Sequence, residues 1–220
     1  MGEFRFYTRL NLVRLLGLRA RCISELYEGI KKIPPAAIYH HTHRFLQQHS
    51  YLSPEPPNDF AYWVTNSLKI KDLGERLASI DTVRFTKIED LRKEFLRILE
   101  DWLGAHRGVT VGSISHDEPF LPGGEEFNFM SCVTFVIPTN YAAKDVKEFE
   151  DALLKITADS LYFHIFEARL RLGKDENDFS LWFRDMGKTK IADEITRLDP
   201  YNITLDGLRK KILELIRIYG

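Results

Sequence analysis

The chain carries its densest histidine cluster at residues 38–46, IYHHTHRFL, followed by SPEPPNDFAYW at residues 53–63. The second half echoes both stretches, as LYFH at 161–164 and NDFSLW at 177–182. A shift of 123 positions lays residues 3–46 on 126–169 without a gap, and ten of these 44 positions are identical. Apolar residues also correspond along the same alignment. The sequence therefore predicts an ancient tandem duplication.

Each predicted copy has the same order of elements. An extended segment (4–16 or 127–137) is followed by an amphipathic helix (22–33 or 144–156), and the histidines of the first copy lie on a helix at about 35–49. Shorter helices follow near 72–80 and 188–197, and each copy ends in a helix with one apolar face. In the first copy, the spacing of Thr86 and Glu89 predicts a capping box at the start of this last helix. We predict an α+β fold, predominantly helical, with the copies related by a pseudo-twofold axis.

The predicted organisation is a first repeat at 1–103, a linker at 104–124 and a second repeat at 125–220, packed as one globular unit. Five glycines and two prolines between 104 and 124 favour the linker interpretation. A loop of this length is either mobile or functional.

Bulk composition excludes several classes of partner. The chain has 31 basic and 32 acidic residues, so it carries no basic surface large enough to suggest nucleic-acid binding. No apolar run reaches the roughly 18 residues that a membrane span needs, and the N-terminus does not resemble a signal peptide. Two cysteines without Cys-x-x-Cys spacing indicate neither a disulfide framework nor a zinc site. We expect a cytoplasmic protein with reduced thiols, no nucleic-acid partner and no membrane partner.

The histidine helix offers two kinds of side chain. His40, His43 and Arg44 share one arc of the helix, and a pair of histidines three residues apart could supply two metal ligands. Arg44 in the same arc disfavours a cation, so we predict no metal site. His41 shares its face with apolar residues, as His164 does in the second copy, which predicts buried rings bonded to backbone or carboxylate. The functional alternative is a pH-sensitive or ligand-binding pair formed by His41 and His164.

Two further sets of residues have both a structural and a functional interpretation. Asn58 and Asp59, like Asn177 and Asp178 in the second copy, are predicted to cap a helix. The alternative is an acid and an amide beside an aromatic wall that includes Trp63, suited to a small polar ligand. Glu167 occupies the position of Arg44 with opposite charge, so the two could form an ion pair across matching faces of the copies.

The strings YxHTHRFL, SPEPPNDFAYW, FEARLRLG (166–173) and NDF resemble a prokaryotic family known only as a domain of unknown function. The resemblance extends nearly from end to end. It implies no activity, cofactor or catalytic residue. Motifs for phosphate-binding loops, dinucleotide binding, serine hydrolases and zinc proteases are absent from the sequence.

Three functional hypotheses follow. The preferred one is a small-molecule-binding or regulatory protein, with a polar and aromatic pocket at the interface of the repeats. Its predicted lining is His40, His41, His43, Arg44, Asn58, Asp59, Trp63, His164 and Glu167. The first alternative is an enzyme, metal-assisted or using His41 as a general base, with hydrolase or transferase activity. The second is a structural oligomerisation module, and a homo-oligomer would fit it. No cofactor is indicated.

Overall fold

The computed structural model describes residues 2–47, 57–106, 124–173, 176–198 and 203–220. Two long strands, β1 (Phe4–Ala20) and β2 (Phe127–Ala143), pair in a two-stranded sheet. The described helices are α1 (Ile23–Lys32), α2 (Pro35–Gln47), α3 (Asp59–Asn66), α4 (Lys71–Ala78), α5 (Ile88–Ala105), α6 (Val146–Leu153), α7 (Ala158–Tyr162), α8 (Ala168–Leu172), α9 (Asp178–Asp185), α10 (Thr189–Thr196) and α11 (Leu205–Tyr219). The fold is α+β and predominantly helical, as predicted.

The two strands run antiparallel and are longer than predicted. Arg19 contacts Glu126 at one end of the sheet, and Thr139 donates to the carbonyl of Phe6 at the other. As residue numbers rise in β1, their partners fall in β2. Pairing along the whole ribbon extends the strands to Ala20 and Ala143, beyond the segments that sequence alternation marks as extended.

The start of α5 also differs from the prediction. Lys87, not Thr86, is the N-cap residue, and it makes no side-chain cap hydrogen bond. The capping box is therefore wrong. Glu89 instead accepts from Arg92, whose guanidinium also donates to the carbonyl of Ile30. Because the carboxylate of Glu89 is bonded to Arg92, it does not reach the backbone N–H at the N-terminus of α5.

The chain divides into two compact units that interleave in sequence. The central unit contains Leu12–Phe45 and the described residues of 57–133. The terminal unit contains residues 2–11, 46–47 and the described residues of 134–220. Each unit thus joins helices from one predicted repeat to strand residues from the other. The predicted boundaries at 103 and 125 stay a prediction, and most of the predicted linker lies outside the described residues.

The core of the central unit is built on the start of β2. Phe127 and Phe129 alternate with outward-facing Asn128 and pack among buried residues of α1, α3 and α5. The rings of Phe127 and Phe60 pack in a tilted arrangement with their centroids 5.4 Å apart. The alternation in this strand buries one face, as expected for a strand lying on helices.

The terminal unit repeats this arrangement with the start of β1. Phe4 and Phe6 are buried and pack on Phe149 of α6 and Phe179 of α9, with centroid separations between 5.2 and 5.9 Å. Trp182 stacks on Phe149 at 5.1 Å. Aromatic pairs at these separations add to the stability that area burial provides.

A glycine in α1 tests the close contact between helix and strand. A Cβ atom at Gly29 would lie 2.1 Å from Cζ of Phe129, a fully buried ring that cannot move aside. We expect Gly29→Ala to lower the free energy of unfolding by about 1–3 kcal/mol, although alanine is the better helix former. Urea denaturation measures the change.

Gly104 in α5 is the matched control. Its added Cβ atom would meet nothing within 4 Å, so Gly104→Ala should leave stability unchanged or raise it by up to about 1 kcal/mol. If both substitutions changed the free energy of unfolding equally, the contact with Phe129 would not be the reason that residue 29 is glycine.

Candidate functional site

His41 connects three elements of the central unit. Its ring is 1% exposed, its Nδ1 lies 2.8 Å from Oδ2 of Asp59 at the start of α3, and its Nε2 accepts a hydrogen bond of 2.9 Å from the backbone N–H of Met130 in β2. Phe127 packs on the ring at 4.8 Å. The His41 side chain of α2 is thus hydrogen-bonded to the backbone of β2 through one ring nitrogen and to the N-terminal residue of α3 through the other.

His164 makes the same contacts in the terminal unit. Its Nδ1 lies 2.7 Å from Oδ2 of Asp178, and its Nε2 accepts from the backbone N–H of Tyr7 in β1 at 2.8 Å. Tyr7 and Met130 are 123 positions apart, the shift that also aligns the two histidines. The prediction of buried, hydrogen-bonded histidines is therefore correct in both halves.

These contacts fix the tautomer of each ring. A backbone N–H can only donate, so Nε2 must present its lone pair and the ring hydrogen must sit on Nδ1, where it donates to the carboxylate. Both nitrogens are then occupied. In this arrangement His41 has no lone pair for a metal and none for taking a proton from a substrate, so its geometry favours a structural role over that of general base.

The electrostatic environment keeps His164 neutral. Burial lowers the pKa of the His164 imidazole below its usual value, because the charged ring would lose its hydration. The hydrogen bond and charge of Asp178 act in the opposite direction, and the nearby Arg171 adds to the lowering. Desolvation is the largest of these effects.

One group of metal-ligand type occurs in the part of the chain that the structure describes. Atoms of His40, His41 and Asp59 lie within 4.8 Å of one another. A cation there would need a lone pair on Nδ1 of His41 while Nε2 still accepts from Met130, which a neutral imidazole cannot provide. The donor set therefore does not fit a metal unless the contact with the strand is broken.

The other two histidines of α2 are also buried. His40 and His43 are almost fully shielded from solvent, and His43 stacks on Tyr39 at 4.9 Å while its Nδ1 lies 2.8 Å from Thr42 Oγ1. They do not form an exposed polar arc. The side chain of Arg44 lies outside the described part of the structure, so its predicted pairing with Glu167 stays a prediction.

The predicted caps at Asn58 and Asn177 are confirmed. Asp59 and Asp178 do not cap, because each is the first residue of its helix and bonds to a histidine. The side chain of Asn58 accepts from Ala61 N–H and also donates to the carbonyl of Leu77, while Asn177 forms a capping box with Ser180. Trp63 in α3 donates its indole N–H to the carbonyl of Glu125. The side chains of Asn58, Asn177 and Trp63 therefore all make contacts within the protein.

Glu167 lies in the terminal unit, where it forms an ion pair with the buried Arg9 at 2.5 Å. The Arg9 guanidinium also lies 5.1 Å from the ring centre of Tyr162. His41 and His164 belong to different compact units. The predictions of a histidine pair and of a pocket at the repeat interface stay predictions.

The terminal unit contains an open cleft of about 750 Å³ beside His164. Its lining combines the start of β1, Val136 of β2, the segment around His164, and one face of α9. The lining residues are Gly2, Glu3, Phe4, Arg5, Tyr7, Val136, Phe163, His164, Arg171, Asp178, Leu181, Trp182, Asp185 and Met186. A cavity of this size is within the range of small-molecule sites.

Arg171 and Asp178 form the polar centre of the cleft. Oδ2 of Asp178 accepts from both His164 Nδ1 and Arg171 Nη2, the latter at 2.6 Å. The Arg171 guanidinium lies 4.4 Å from the ring centre of Phe163. Hydrogen bonding and stacking together fix the orientation of this cation.

A local irregularity shapes this part of the terminal unit. Between α7 and α8 the chain forms a π turn, Phe163–Glu167, which includes His164. The corresponding segment of the central unit lies within the regular helix α2. Single π turns inside helices are frequent at functional sites.

Sequence reasoning did not select Arg5, Tyr7, Arg171 or Asp185. Arg171 lies in the FEARLRLG string, two residues before Gly173, whose positive φ of 64° ends α8. No local sequence pattern indicates that the N-terminal strand lines the cleft, because the other lining residues are more than 120 positions away in the sequence.

The fold and cleft define an α+β protein of interleaved helical units with a candidate ligand site in one of them. The chain belongs to the family DUF5752, described as a family of unknown function, whose family model matches residues 1–217. It is similar to the solved structure of OrfY from Thermoproteus tenax, with a TM-score of 0.80 and 31% identity over 100% of this chain and 96% of that one. No curated protein matches the chain.

The lowered pKa of His164 predicts a pH-dependent stability. Because the folded-state pKa lies below the unfolded value, its contribution to stability is present above the unfolded value of about 6.5 and is lost as the pH falls toward the folded pKa. We expect His164→Gln, whose amide oxygen can accept from Tyr7 without titrating, to show a smaller loss of unfolding free energy on acidification than wild type. Parallel slopes in urea denaturation at several pH values would contradict this assignment.

Asn58 tests the cap at the beginning of α3. Asn58→Ala removes the cap and leaves the Leu77 carbonyl without its donor, so we expect a loss of about 2–4 kcal/mol in unfolding free energy. Lys87→Ala is the control, since Lys87 occupies an N-cap without side-chain bonding and should change stability by less than about 0.5 kcal/mol. A loss below about 1 kcal/mol for Asn58→Ala would contradict the assignment.

Proposed function

We propose that this protein binds a small molecule in the cleft of the terminal unit, as a binding or regulatory protein. The observation that supports this most directly is the concave, mostly apolar lining around the Arg171–Asp178 pair. Apolar walls with a few fixed polar groups are typical of ligand sites, where the walls provide affinity and the polar groups orientation.

A binding role fits the chemistry of the cleft better than a catalytic one. His164, the side chain of general acid–base type beside it, has one nitrogen bonded to Tyr7 N–H and the other to Asp178. A general base needs a lone pair directed at the substrate. Catalysis by His164 would require the strand contact to open.

The same contacts support a duplication as the origin of the two units. His41 and His164 bond to strand residues at one common shift, and the indoles of Trp63 and Trp182 donate to the carbonyls of Glu125 and Gly2, again 123 positions apart. In this proposal the terminal unit acquired the π turn and its cleft after duplication, while the central unit kept a regular helix.

A cytoplasmic location belongs to the same proposal. Both cysteines, Cys22 and Cys132, are free and buried, as expected in a reducing compartment. Within the described residues, no helix has the length and apolar character needed to cross a bilayer.

A thermal-shift screen against a metabolite library tests the binding proposal. A ligand at about 100 times its Kd adds about 2.7 kcal/mol of stability, which corresponds to an increase of about 5–10 °C in Tm for a chain of this size. We expect hits with wild type that Val136→Trp abolishes, because Val136 is 51% exposed and lines the cleft.

Val133→Trp is the matched control for the blocking variant. Val133 lies on the same strand with 46% exposure but does not line the cleft, so this variant should respond to ligands as wild type does. Hits that persist in Val136→Trp would place binding elsewhere. Metal bound stoichiometrically to the purified protein would favour the enzyme alternative.

A further inference from the structure

Two guanidinium groups in the cleft have donors that no described residue uses. Arg171 bonds to Asp178 through Nη2, and Arg5 bonds to Glu3 through Nε. Among the described residues, these are the hydrogen bonds of the two guanidinium groups. Nε and Nη1 of Arg171 and both Nη atoms of Arg5 therefore remain available as donors to a ligand. The side chains are 40% and 70% exposed, so the remaining donors are accessible from solvent.

The contacts of Arg171 fix its orientation for binding an anion. Its guanidinium stacks on Phe163 and is bonded on one side to Asp178, which in turn is bonded to the buried ring of His164. An arginine whose orientation is already fixed loses little conformational entropy when it binds a carboxylate or phosphate through two N–H groups. This chain of contacts fixes the position of the Arg171 donors that remain free among the described residues.

A cationic ligand would meet a site that is already occupied. The position on the Phe163 ring beside Asp178 is filled by Arg171 itself. Oδ2 of Asp178 already accepts two hydrogen bonds, and Glu3 is paired with Arg5. Asp185 also lines the cleft, but it is exposed, and solvent and salt weaken its effect on a ligand at Arg171.

We propose that the ligand of this cleft is a small organic anion whose carboxylate or phosphate accepts hydrogen bonds from Arg171 and Arg5. Its apolar or aromatic body packs against the apolar lining, which includes Leu181, Trp182 and Met186. This inference rests on the proposed binding function and specifies its ligand class.

Titration calorimetry with three probes of similar size tests the ligand class. We expect phenyl phosphate and benzoate to bind wild type saturably, and benzylamine not to bind. Raising the salt concentration should weaken anion binding. Val136→Trp should abolish it.

Arginine variants locate the anion within the cleft. Arg171→Ala should raise the Kd for phenyl phosphate about tenfold or more, and Arg171→Lys should restore only part of the affinity because lysine lacks the planar fork. Arg184→Ala is the control. Arg184 is on α9, is 38% exposed and is paired with two carboxylates, but it does not line the cleft. The Kd of this variant for phenyl phosphate should therefore stay within about twofold of wild type. Arg5→Ala removes an exposed side chain and keeps the test valid if Arg171→Ala fails to fold.

Several outcomes would overturn the inference. These are saturable binding of benzylamine that Val136→Trp abolishes, anion binding that survives both Arg171→Ala and Arg5→Ala, and no binding of either anion. If the metabolite screen gives neutral or cationic hits that Val136→Trp abolishes, the binding function stands and the anionic ligand does not. If Val136→Trp changes no hit, both fail.

Discussion

In each compact unit a histidine ring accepts a hydrogen bond from the backbone N–H of a strand and donates one to an aspartate at a helix N-terminus. The strand, the histidine helix and the following helix must therefore meet at one point. A buried hydrogen bond contributes most when its loss would leave a polar group unpaired, and here the loss of the ring would leave the strand N–H without its acceptor.

This constraint explains why the units interleave. The strand residue bonded to His41, Met130, follows the helices of the central unit. The strand residue bonded to His164, Tyr7, precedes that histidine by 157 residues. Phe127 and Phe129, or Phe4 and Phe6, then complete the cores. Neither set of helices has a full core without strand residues from the other predicted repeat.

The cleft extends the same arrangement to the surface. Asp178 holds His164 on its buried side and Arg171 on its exposed side, so the group that fixes the fold also orients the cation facing solvent. The central unit has a buried pair of histidines where the terminal unit has Phe163 and His164. Two units with the same internal contacts thus differ in what they offer a ligand.

The sequence by itself determined the elements, the caps at Asn58 and Asn177, and the burial of His41 and His164, because helix periodicity and capping depend on residues within a few positions of each other. It did not determine the length of the strands, the start of α5 or the cleft. Those depend on pairing between β1 and β2, on the contact of Arg92 with Ile30, and on side chains brought together from both ends of the chain. Only tertiary structure assigns such partners, since no local pattern records which distant backbone N–H a histidine will accept from.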